Sequence, residues 1–228
     1  QIVIYNDINF KVRQMLEMFR DIDTLELYKF LVSMISKYGL EKNNSEKYTS
    51  LRAVYNRPEP PMRDPKLLYL LVLYGFQQQI RFNTSLLYNN PVGQSSFNDK
   101  IFEKLVSFSH ELKEKSVIFR SNYFLELEDE ITSDTFVYCD PPYLVTLGSY
   151  NDGKRGFNSW SSDDEKKLLN FLDEIDSRGA KFMLSNVLSH NGSDNEILSA
   201  WLINRRYKVI NYDGKEKKKR KEIIVVNY

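Results

Sequence analysis

Thr135-Phe-Val-Tyr-Cys-Asp-Pro-Pro-Tyr143 is the run of residues from which the architecture of this chain is most readily predicted. Its first part, Phe136–Cys139, is short, apolar and rich in strand-favouring residues, which predicts a buried strand. The strand must end at Asp140, because Pro141 and Pro142 prevent both a continued ladder and an immediate helix. Open α/β sheets bind ligands at the carboxyl ends of their strands. A rigid carboxylate, stiff carbonyls and a ring face here predict a site for a flat group with an exocyclic amine.

The composition is that of an ordinary globular protein, with 228 residues and a formal net charge of +1. This length allows one large domain, or a core with a small inserted domain. Because the net charge is close to zero, any surface that binds nucleic acid must come from a local concentration of charge.

Cysteine and histidine usage argues against disulfide and metal chemistry. Cys139 is the only cysteine, so no internal disulfide can form, and its apolar neighbours indicate a core thiol. His110 and His190 lack the spacing of metal ligands, so we expect no metal site.

The sequence contains neither an apolar stretch of membrane-spanning length nor a signal peptide. We therefore expect a cytoplasmic protein without a membrane partner. We also expect a monomer or weak dimer.

The first strand, Ile2–Tyr5, is also predicted to be buried, and it ends at a polar tip, Asn6-Asp7-Ile8-Asn9. A carboxylate just past a strand is placed to bind ribose hydroxyls. The alternative is that Asn6 or Asp7 caps the next helix. The spacing alone does not decide between them.

Residues 40–113 are helical and rich in loops, and they lack the βα alternation of the rest of the chain. We interpret them as an inserted domain. Within it, Tyr74–Asn83 interleaves glutamines, an arginine and an asparagine with aromatic residues. Such side chains can pair with base edges or stack on bases. The alternative for this stretch is a solvated helix end.

Alternation resumes with a strand at Ser116–Phe119, followed by the Phe136–Cys139 strand. Residues 144–160 form a long loop, of the kind that is more often functional than incidental. A parallel strand follows at Lys181–Ser185, then a helix over 193–206. Two final strands joined through Lys215–Lys221 predict an antiparallel hairpin, whose lysines either contact phosphate or are solvated.

These features together resemble the Dam-type DNA adenine-N6 methyltransferases of the α-class, and the resemblance covers essentially the whole chain. The Asp-Pro-Pro-Tyr tetrapeptide is moderately specific by itself, and further stretches narrow the resemblance to the phage and bacterial subgroup that methylates adenine in GATC. These stretches are Asn6-Asp7-Ile8-Asn9, Gly75-Phe76 with Ile80-Arg81, Asn90-Pro91-Val92-Gly93, Trp160-Ser-Ser-Asp-Asp-Glu165 and Leu184-Ser185-Asn186-Val187.

The resemblance implies an α/β fold with a doubly wound mixed sheet of the S-adenosylmethionine-dependent methyltransferase type and a C-terminal antiparallel hairpin. It also implies a small helical domain inserted for DNA recognition. The expected catalytic domain comprises residues 1–39 and 114–228, and the expected target-recognition domain comprises residues 40–113.

The implied reaction is methyl transfer from S-adenosyl-L-methionine to the N6 amine of an adenine flipped out of double-stranded DNA. Asp140 and the Pro141 carbonyl would accept hydrogen bonds from that amine, Pro142 would stiffen the turn, and Tyr143 would stack on the base. The cofactor would be bound by Asp7, Tyr123, Phe124 and Asp140.

The resemblance also implies a set of DNA contacts, with Arg81 reading guanine in the major groove. The implied contacts are Phe76, Gln77, Gln79, Arg81, Asn83, Pro91 and Ser95. Two of them depart from the family pattern: Ser95 stands near a basic position, and Gln79 occupies an apolar one. On the cofactor side, Asn122 and Tyr123 stand where family members often carry an acid.

A glycine-rich cofactor motif and a central strand should precede Ile2 in this family, so we expect that native residues precede Gln1. The hairpin over 211–222 is also short for the family. Two alternatives remain open at this point. One is an amino methyltransferase that acts on RNA or on a protein glutamine, and the other is a catalytically inactive DNA-binding fragment.

Overall fold

A computed structural model describes residues 2–59, 62–146, 160–212 and 220–228. Most of the long loop predicted over 144–160, and most of the lysine-bearing hairpin turn, lie outside these residues. The chain divides near Asn122 into two compact units, which are described separately. This division reflects compactness only, and the predicted catalytic and target-recognition domains remain a prediction.

In its described residues the first unit, up to Asn122, contains a parallel pair of strands and five α-helices. Strands β1 (Ile2–Asn6) and β2 (Ser116–Arg120) pair in register from Ile2 opposite Ser116 to Asn6 opposite Arg120. The helices are α1 (Phe10–Asp21), α2 (Thr24–Tyr38), α3 (Ser45–Asn56), α4 (Pro65–Tyr74) and α5 (Asp99–Glu114).

Local signals explain where these helices begin and end. Asp23 caps α2 by accepting from two backbone amides, and Gly39 ends it in the left-handed conformation at φ 59°. Asp64 caps α4, and Pro65 occupies its first position. The helices enclose an apolar core in which Leu27, Leu31, Leu51, Leu70 and Leu71 are fully buried.

The second unit, from Tyr123 onward, is built on a mixed sheet in the order β3-β4-β7-β6, with β5 paired to β4. Its strands are β3 (Phe136–Cys139), β4 (Lys181–His190), β5 (Ser193–Asp194), β6 (Lys208–Tyr212) and β7 (Arg220–Val226). Strands β3 and β4 are parallel, whereas β7 is antiparallel to both β4 and β6. The predicted parallel strand and the closing hairpin are confirmed.

Over the described ranges, two α-helices cover this sheet, α6 (Ser162–Ser177) and α7 (Glu196–Ile203). Their apolar faces pack with the sheet in a core around Leu172, Phe182, Leu184 and Leu198. The helix predicted over 193–206 is shorter than expected, because β5 occupies its first residues.

Strand β4 extends to His190, five residues beyond the predicted end. Strand β7 pairs with β4 from Met183 opposite Val226 to His190 opposite Arg220, with an irregularity after Val187, and this pairing includes the extension. The sequence of β4 alone could not predict that the strand includes these residues, because their pairing partners lie thirty or more positions away in the chain. Overall, the prediction of an α/β fold with a mixed sheet is confirmed.

The predicted burial of the strands β1 and β3 was wrong. Ile2 and Val3 are 69% and 43% exposed, and Phe136 and Tyr138 are 52% and 58% exposed. Within the residues that the structure describes, β1 pairs with β2 alone and β3 with β4 alone, so both are edge strands. Apolar composition predicts a strand but not how many neighbours cover it.

Cys139 packs against the core of the second unit, and burial raises the pKa of its thiol to about 12. This supports the prediction of a core thiol, because a thiol with a raised pKa is a poor nucleophile at neutral pH. None of the helices over the described ranges is long and apolar enough to cross a membrane.

Candidate active site

The Asp-Pro-Pro-Tyr turn follows directly from the end of β3 and is tied to the neighbouring strand. The Tyr143 hydroxyl donates to Asp140 Oδ1 at 2.7 Å, and it lies 2.9 Å from Ser185 Oγ on β4. Since the single tyrosine proton goes to Asp140, Ser185 is the donor in the second contact. The parallel pairing of β3 with β4 brings these side chains together, because Cys139 stands opposite Leu184.

The electrostatics of the turn keep the Tyr143 hydroxyl protonated. Burial, followed by the hydrogen bond and charge of Asp140, raises the pKa of Tyr143 to about 12. The Arg220 guanidinium on β7 lies over the Tyr143 ring, 5.4 Å from its centroid. At neutral pH the hydroxyl is therefore a donor, and it orients the Asp140 carboxylate.

Asp140 is exposed to solvent. Within the described ranges its second oxygen, Oδ2, makes no hydrogen bond. An oriented carboxylate with one oxygen available can accept a hydrogen bond from an exocyclic amine.

Tyr123 and Phe124 form a partly exposed aromatic surface at the start of a 3-10 helix, Phe124–Glu130. Their ring centroids are 4.6 Å apart with the planes inclined at 45°. The Tyr123 hydroxyl donates to Asp164 Oδ1 at 3.0 Å, and Phe171 packs edge-on against Phe124 at 5.5 Å. Aromatic rings that neighbouring side chains fix in place and that remain partly exposed fit a planar heterocycle such as adenine.

Asp7 is half-buried beyond the end of β1 in the first unit. Its Oδ1 accepts from the backbone amide of Asn9 at 2.8 Å, and its Oδ2 accepts from the Tyr5 hydroxyl at 3.2 Å. Each carboxylate oxygen retains a lone pair, so the group fits ribose hydroxyls. A role for Asp7 in cofactor binding remains a prediction.

The alternative in which Asn6 or Asp7 caps α1 was wrong, because Asn9 is the cap and accepts from the amide of Lys11. Asn6 instead exchanges two hydrogen bonds with the backbone of Asn122, at 3.0 and 2.9 Å. This exchange joins the tip of β1 to the segment that follows β2.

The predicted DNA contacts Phe76, Gln77 and Gln79 lie on one exposed turn. Phe76 is 48% exposed, and Gln77 and Gln78 have φ values of 50° and 55°. Non-glycine residues seldom adopt positive φ, and such strain is typical of functional positions.

Hydrogen bonds to the segment from Asn90 to Gly93 hold this turn in place. The Phe76 amide donates to the Pro91 carbonyl at 2.8 Å, and the Gly93 amide donates to the Tyr74 carbonyl at 2.7 Å. The buried Asn90 donates from Nδ2 to the Phe76 carbonyl at 2.9 Å. A Cβ at Gly93 would lie 2.4 Å from the Gly75 carbonyl oxygen, so only glycine allows this approach.

The other predicted DNA contacts lie near this turn in the chain. Arg81 is half-buried, and its Nε has no hydrogen-bond partner in the described part of the molecule. The side-chain oxygen Oδ1 of Asn83 accepts from the backbone amides of Ser85 and Leu87, so the side-chain NH₂ is the group left for a ligand. Pro91 is exposed and Ser95 is half-buried.

Sequence reasoning missed a buried polar cluster around Glu165, which includes Asn186 and Asn195. One signal was present in the sequence. Glu165 lies three, four and seven positions before leucines that form the apolar face of α6, so it is an acid on a buried stripe.

A mixed α/β sheet that carries an Asp-Pro-Pro-Tyr turn at the end of a parallel strand is typical of amino methyltransferases. The chain belongs to the D12 class of N6 adenine-specific DNA methyltransferases, whose family profile matches residues 1–218. Members of this family use S-adenosyl-L-methionine as the methyl donor.

Several curated proteins are similar to this chain. The "Modification methylase StsI" of Streptococcus sanguinis is 36% identical over 236 residues, which cover 99% of this chain and 36% of that protein. The "Type II methyltransferase M.FokI" of Planomicrobium okeanokoites is 42% identical over 202 residues, or 87% of this chain and 31% of that protein. A "DNA adenine methylase" of Salmonella typhi is 25% identical over 146 residues, or 64% and 52% respectively. The chain thus spans about a third of the length of the first two.

Proposed function

We propose that this chain transfers a methyl group from S-adenosyl-L-methionine to the N6 amine of adenine in double-stranded DNA. The observation that carries the proposal is the turn after β3, where the Tyr143 hydroxyl orients the exposed Asp140 carboxylate. Membership of the D12 class supports it, because that family is defined by this chemistry.

In the proposed mechanism, the target adenine leaves the base stack and enters the site at the Asp-Pro-Pro-Tyr turn. Asp140 Oδ2 and the Pro141 carbonyl accept hydrogen bonds from the two protons of the N6 amine, which turns the nitrogen lone pair toward the donor methyl. S-adenosyl-L-methionine would supply the methyl group and would leave as a neutral thioether, which takes up the electron pair of the bond to that group. Asp140 stabilises the positive charge on nitrogen and then receives the departing proton, which passes to water.

Tyr143 and Pro142 hold this geometry. The Tyr143 ring stacks on the flipped adenine, while its hydroxyl keeps Asp140 Oδ1 engaged and leaves Oδ2 for the amine. Pro142 stiffens the turn that links the two residues. Fixing the amine in line with the methyl group supplies much of the acceleration.

The cofactor is proposed to bind through Asp7, Tyr123, Phe124 and Asp140. Asp7 accepts hydrogen bonds from ribose hydroxyls, and the partly exposed rings of Tyr123 and Phe124 lie beside the adenine. When bound, the cofactor supplies an electrophilic methyl group on a sulfonium. The residues present are a carboxylate and an aromatic surface, which suit these two parts of the molecule.

The DNA is proposed to be contacted by the exposed turn and the residues that follow it. Phe76, Gln77, Gln79 and Pro91 lie at or beside the flipped base, and Arg81 reads a guanine. The strained, exposed turn supports this assignment, since side chains are held outward at a cost in backbone energy. Asn83 and Ser95 provide further polar contacts.

The finer proposal is that the target is GATC or a related short site. The stretches shared with the GATC-methylating subgroup and the similarity to the Salmonella DNA adenine methylase support it. The higher identity with the modification methylases supports a role in a restriction-modification system of a bacterial or phage-infected cell. We propose a cytoplasmic protein that acts as a monomer or weak dimer.

The proposal is tested with Asp140→Ala and with Asp134→Ala, a matched exposed acid in the loop before β3. Asp140→Ala should lower single-turnover methylation by about 10²–10³-fold or more, the scale of one lost transition-state contact, with DNA affinity largely kept. Asp134→Ala should leave both unchanged. Robust methylation by Asp140→Ala would refute the mechanism. Base-resolved detection of N6-methyladenine on a plasmid then identifies the site.

A further inference from the structure

Glu165 is a completely buried carboxylate in the second unit, held by three neutral donors. Trp160 Nε1 donates to Oε2 at 2.7 Å, while Asn186 Nδ2 and Asn195 Nδ2 donate to Oε1 at 3.0 and 2.9 Å. A buried charge is tolerated only when it is well hydrogen-bonded. The position in the first turn of α6 adds the favourable field of a helix N-terminus.

The three donors come from three different elements. Trp160 precedes α6, Asn186 follows Ser185 on β4, and Asn195 is the N-cap of α7, where it also accepts from the Leu198 amide. The two carboxylate oxygens have different partners: Oε2 accepts from the Trp160 indole, and Oε1 accepts from both asparagine side chains. The carboxylate therefore sets the direction of the Trp160 ring relative to the strand and helix behind it.

The Trp160 ring continues the aromatic surface formed by Tyr123 and Phe124. Its centroid lies 6.1 Å from that of Phe124, with the planes inclined at 44°. Trp160 is partly exposed, as are Tyr123 and Phe124, so the three rings present one surface. The mechanism proposed above gives Trp160 and Glu165 no role.

We propose that Trp160 is a third aromatic contact for the adenosyl group of the cofactor, and that Glu165 is the positioning residue that holds it there. The inference rests on the proposed function, in which Tyr123 and Phe124 lie beside the cofactor's adenine. Indole has a large aromatic face for stacking, and the hydrogen bond from its N–H to Glu165 fixes the orientation of the ring.

The chain provides an internal control, because its two tryptophans are Trp160 and Trp201. Trp201 also donates its indole N–H to a carboxylate, Asp173 Oδ1 at 3.0 Å, but it packs between Phe182 and Tyr207. In protein labelled with 5-fluorotryptophan, each ¹⁹F signal is assigned by the corresponding Trp→Phe variant. S-adenosylhomocysteine, added without DNA, should shift the Trp160 signal and leave that of Trp201 in place.

Calorimetric titration with S-adenosylhomocysteine gives the second readout. Trp160→Ala should weaken binding about tenfold, the scale of one lost stacking contact, whereas Trp201→Phe should not weaken it. Glu165→Gln places an amide N–H against either the indole or the asparagines. It should move the Trp160 signal before ligand is added and should weaken binding several-fold. If Trp160→Ala is poorly folded, Trp160→Phe replaces it, with a thermal unfolding curve as the check.

The inference is overturned if S-adenosylhomocysteine binds with the Trp160 signal unmoved, or if Trp160→Ala binds as tightly as the parent protein. Phe124→Ala separates the two levels of the argument. Loss of affinity in Phe124→Ala but not in Trp160→Ala would sink this inference and leave the proposed cofactor site standing. Unchanged affinity in both variants would remove that site as well.

Discussion

At the scale of the single residue, Arg81 tests whether the proposed recognition segment reads sequence. A guanidinium that bonds a guanine edge in two places discriminates against the wrong base by about 1–3 kcal/mol. Arg81→Ala should therefore relax the preference at one base pair by this amount, while the preferences at the other positions are kept. Binding or methylation of a panel of singly substituted sites measures the effect. A uniform loss over all sites, with a smaller salt dependence, would instead make Arg81 a phosphate contact.

Lys11 is a buried cation in the helical core of the first unit. It is 1% exposed, and in the described ranges its Nζ has no hydrogen-bond partner and lies 4.6 Å from the centroid of the Phe10 ring. Burial, followed by the charge of Arg63, lowers the pKa of Lys11 to about 8. The native state is therefore penalised below this pH, where the lysine is charged.

Lys11→Met should stabilise the protein at pH 7 by roughly 1–3 kcal/mol, because a buried unpaired cation is replaced by an apolar chain of similar length. Between pH 8 and 10.5, the unfolded chain retains a proton that the native state has lost. The stability of the parent protein should therefore rise with pH relative to the variant, and the difference should shrink. Urea unfolding at several pH values measures this, with the exposed Lys29→Met as control. A stability difference that is independent of pH would contradict it.

The residues of the site were predictable to different degrees. Asp140 and Tyr143 stood out because prolines stop a strand beside an acid, which is local information. Ser185 as the partner of Tyr143 was not predictable, because strand pairing places it there from 42 positions away. Glu165 and Lys11 were missed for a different reason, since a charged residue on a helix is ordinarily taken as solvent-exposed, whereas both of these are buried.

At the scale of elements, the exposed turn at residues 76–79 depends on the close approach of two backbone segments, one containing Gly75 and the other Gly93. Gly93→Ala would force a Cβ to within 2.4 Å of the Gly75 carbonyl oxygen, which is backbone and cannot move aside cheaply. We expect a loss of roughly 2 kcal/mol or more in unfolding free energy, together with weaker DNA binding.

Gly192→Ala is the matched control for this substitution. Gly192 has a φ of 84°, but a Cβ there would have no neighbour within 4 Å. Backbone strain alone should then cost about 1 kcal/mol, with DNA binding unchanged. Denaturant unfolding and DNA titration of both variants check the pair. Equal effects on DNA binding would show that the clash at Gly93 is not what matters.

The ends of helices can be predicted from the sequence where capping residues are present. The extent and exposure of strands cannot, because they depend on tertiary pairing. Asp23, Asp64 and Gly39 stand at helix ends, where their residue types are the expected ones, because capping is a local hydrogen-bond requirement. The extent of β4 and the exposure of β1 and β3 were not predictable, since both depend on which strands lie alongside.

At the scale of the whole molecule, each compact unit contains a core of its own. The core of the first unit includes Leu70 and that of the second includes Leu184, and both side chains are fully buried. Leu70→Ala and Leu184→Ala should each destabilise by about 2–5 kcal/mol, the usual range for a buried leucine.

Hydrogen exchange measured by mass spectrometry distinguishes the two substitutions. Leu70→Ala should reduce amide protection mainly in residues 2–122, and Leu184→Ala mainly in residues 123–228, if the units open separately. Loss of protection throughout the chain in both variants would mean that the units unfold as one cooperative body.

The way in which hydrogen bonds hold the exposed turn affects how the preference of the protein for a DNA sequence can change. Backbone groups and the buried Asn90 hold residues 76–79 in place, and the outward side chains add one exposed hydrogen bond, from Gln79 Nε2 to Gln77 Oε1 at 3.2 Å. Substitutions at Phe76, Gln77 or Gln79 can therefore accumulate with small effects on stability. If these residues contact DNA as proposed, related chains can differ in the DNA sequence that they recognise while the backbone of residues 76–79 stays the same, and specificity can then change separately from folding.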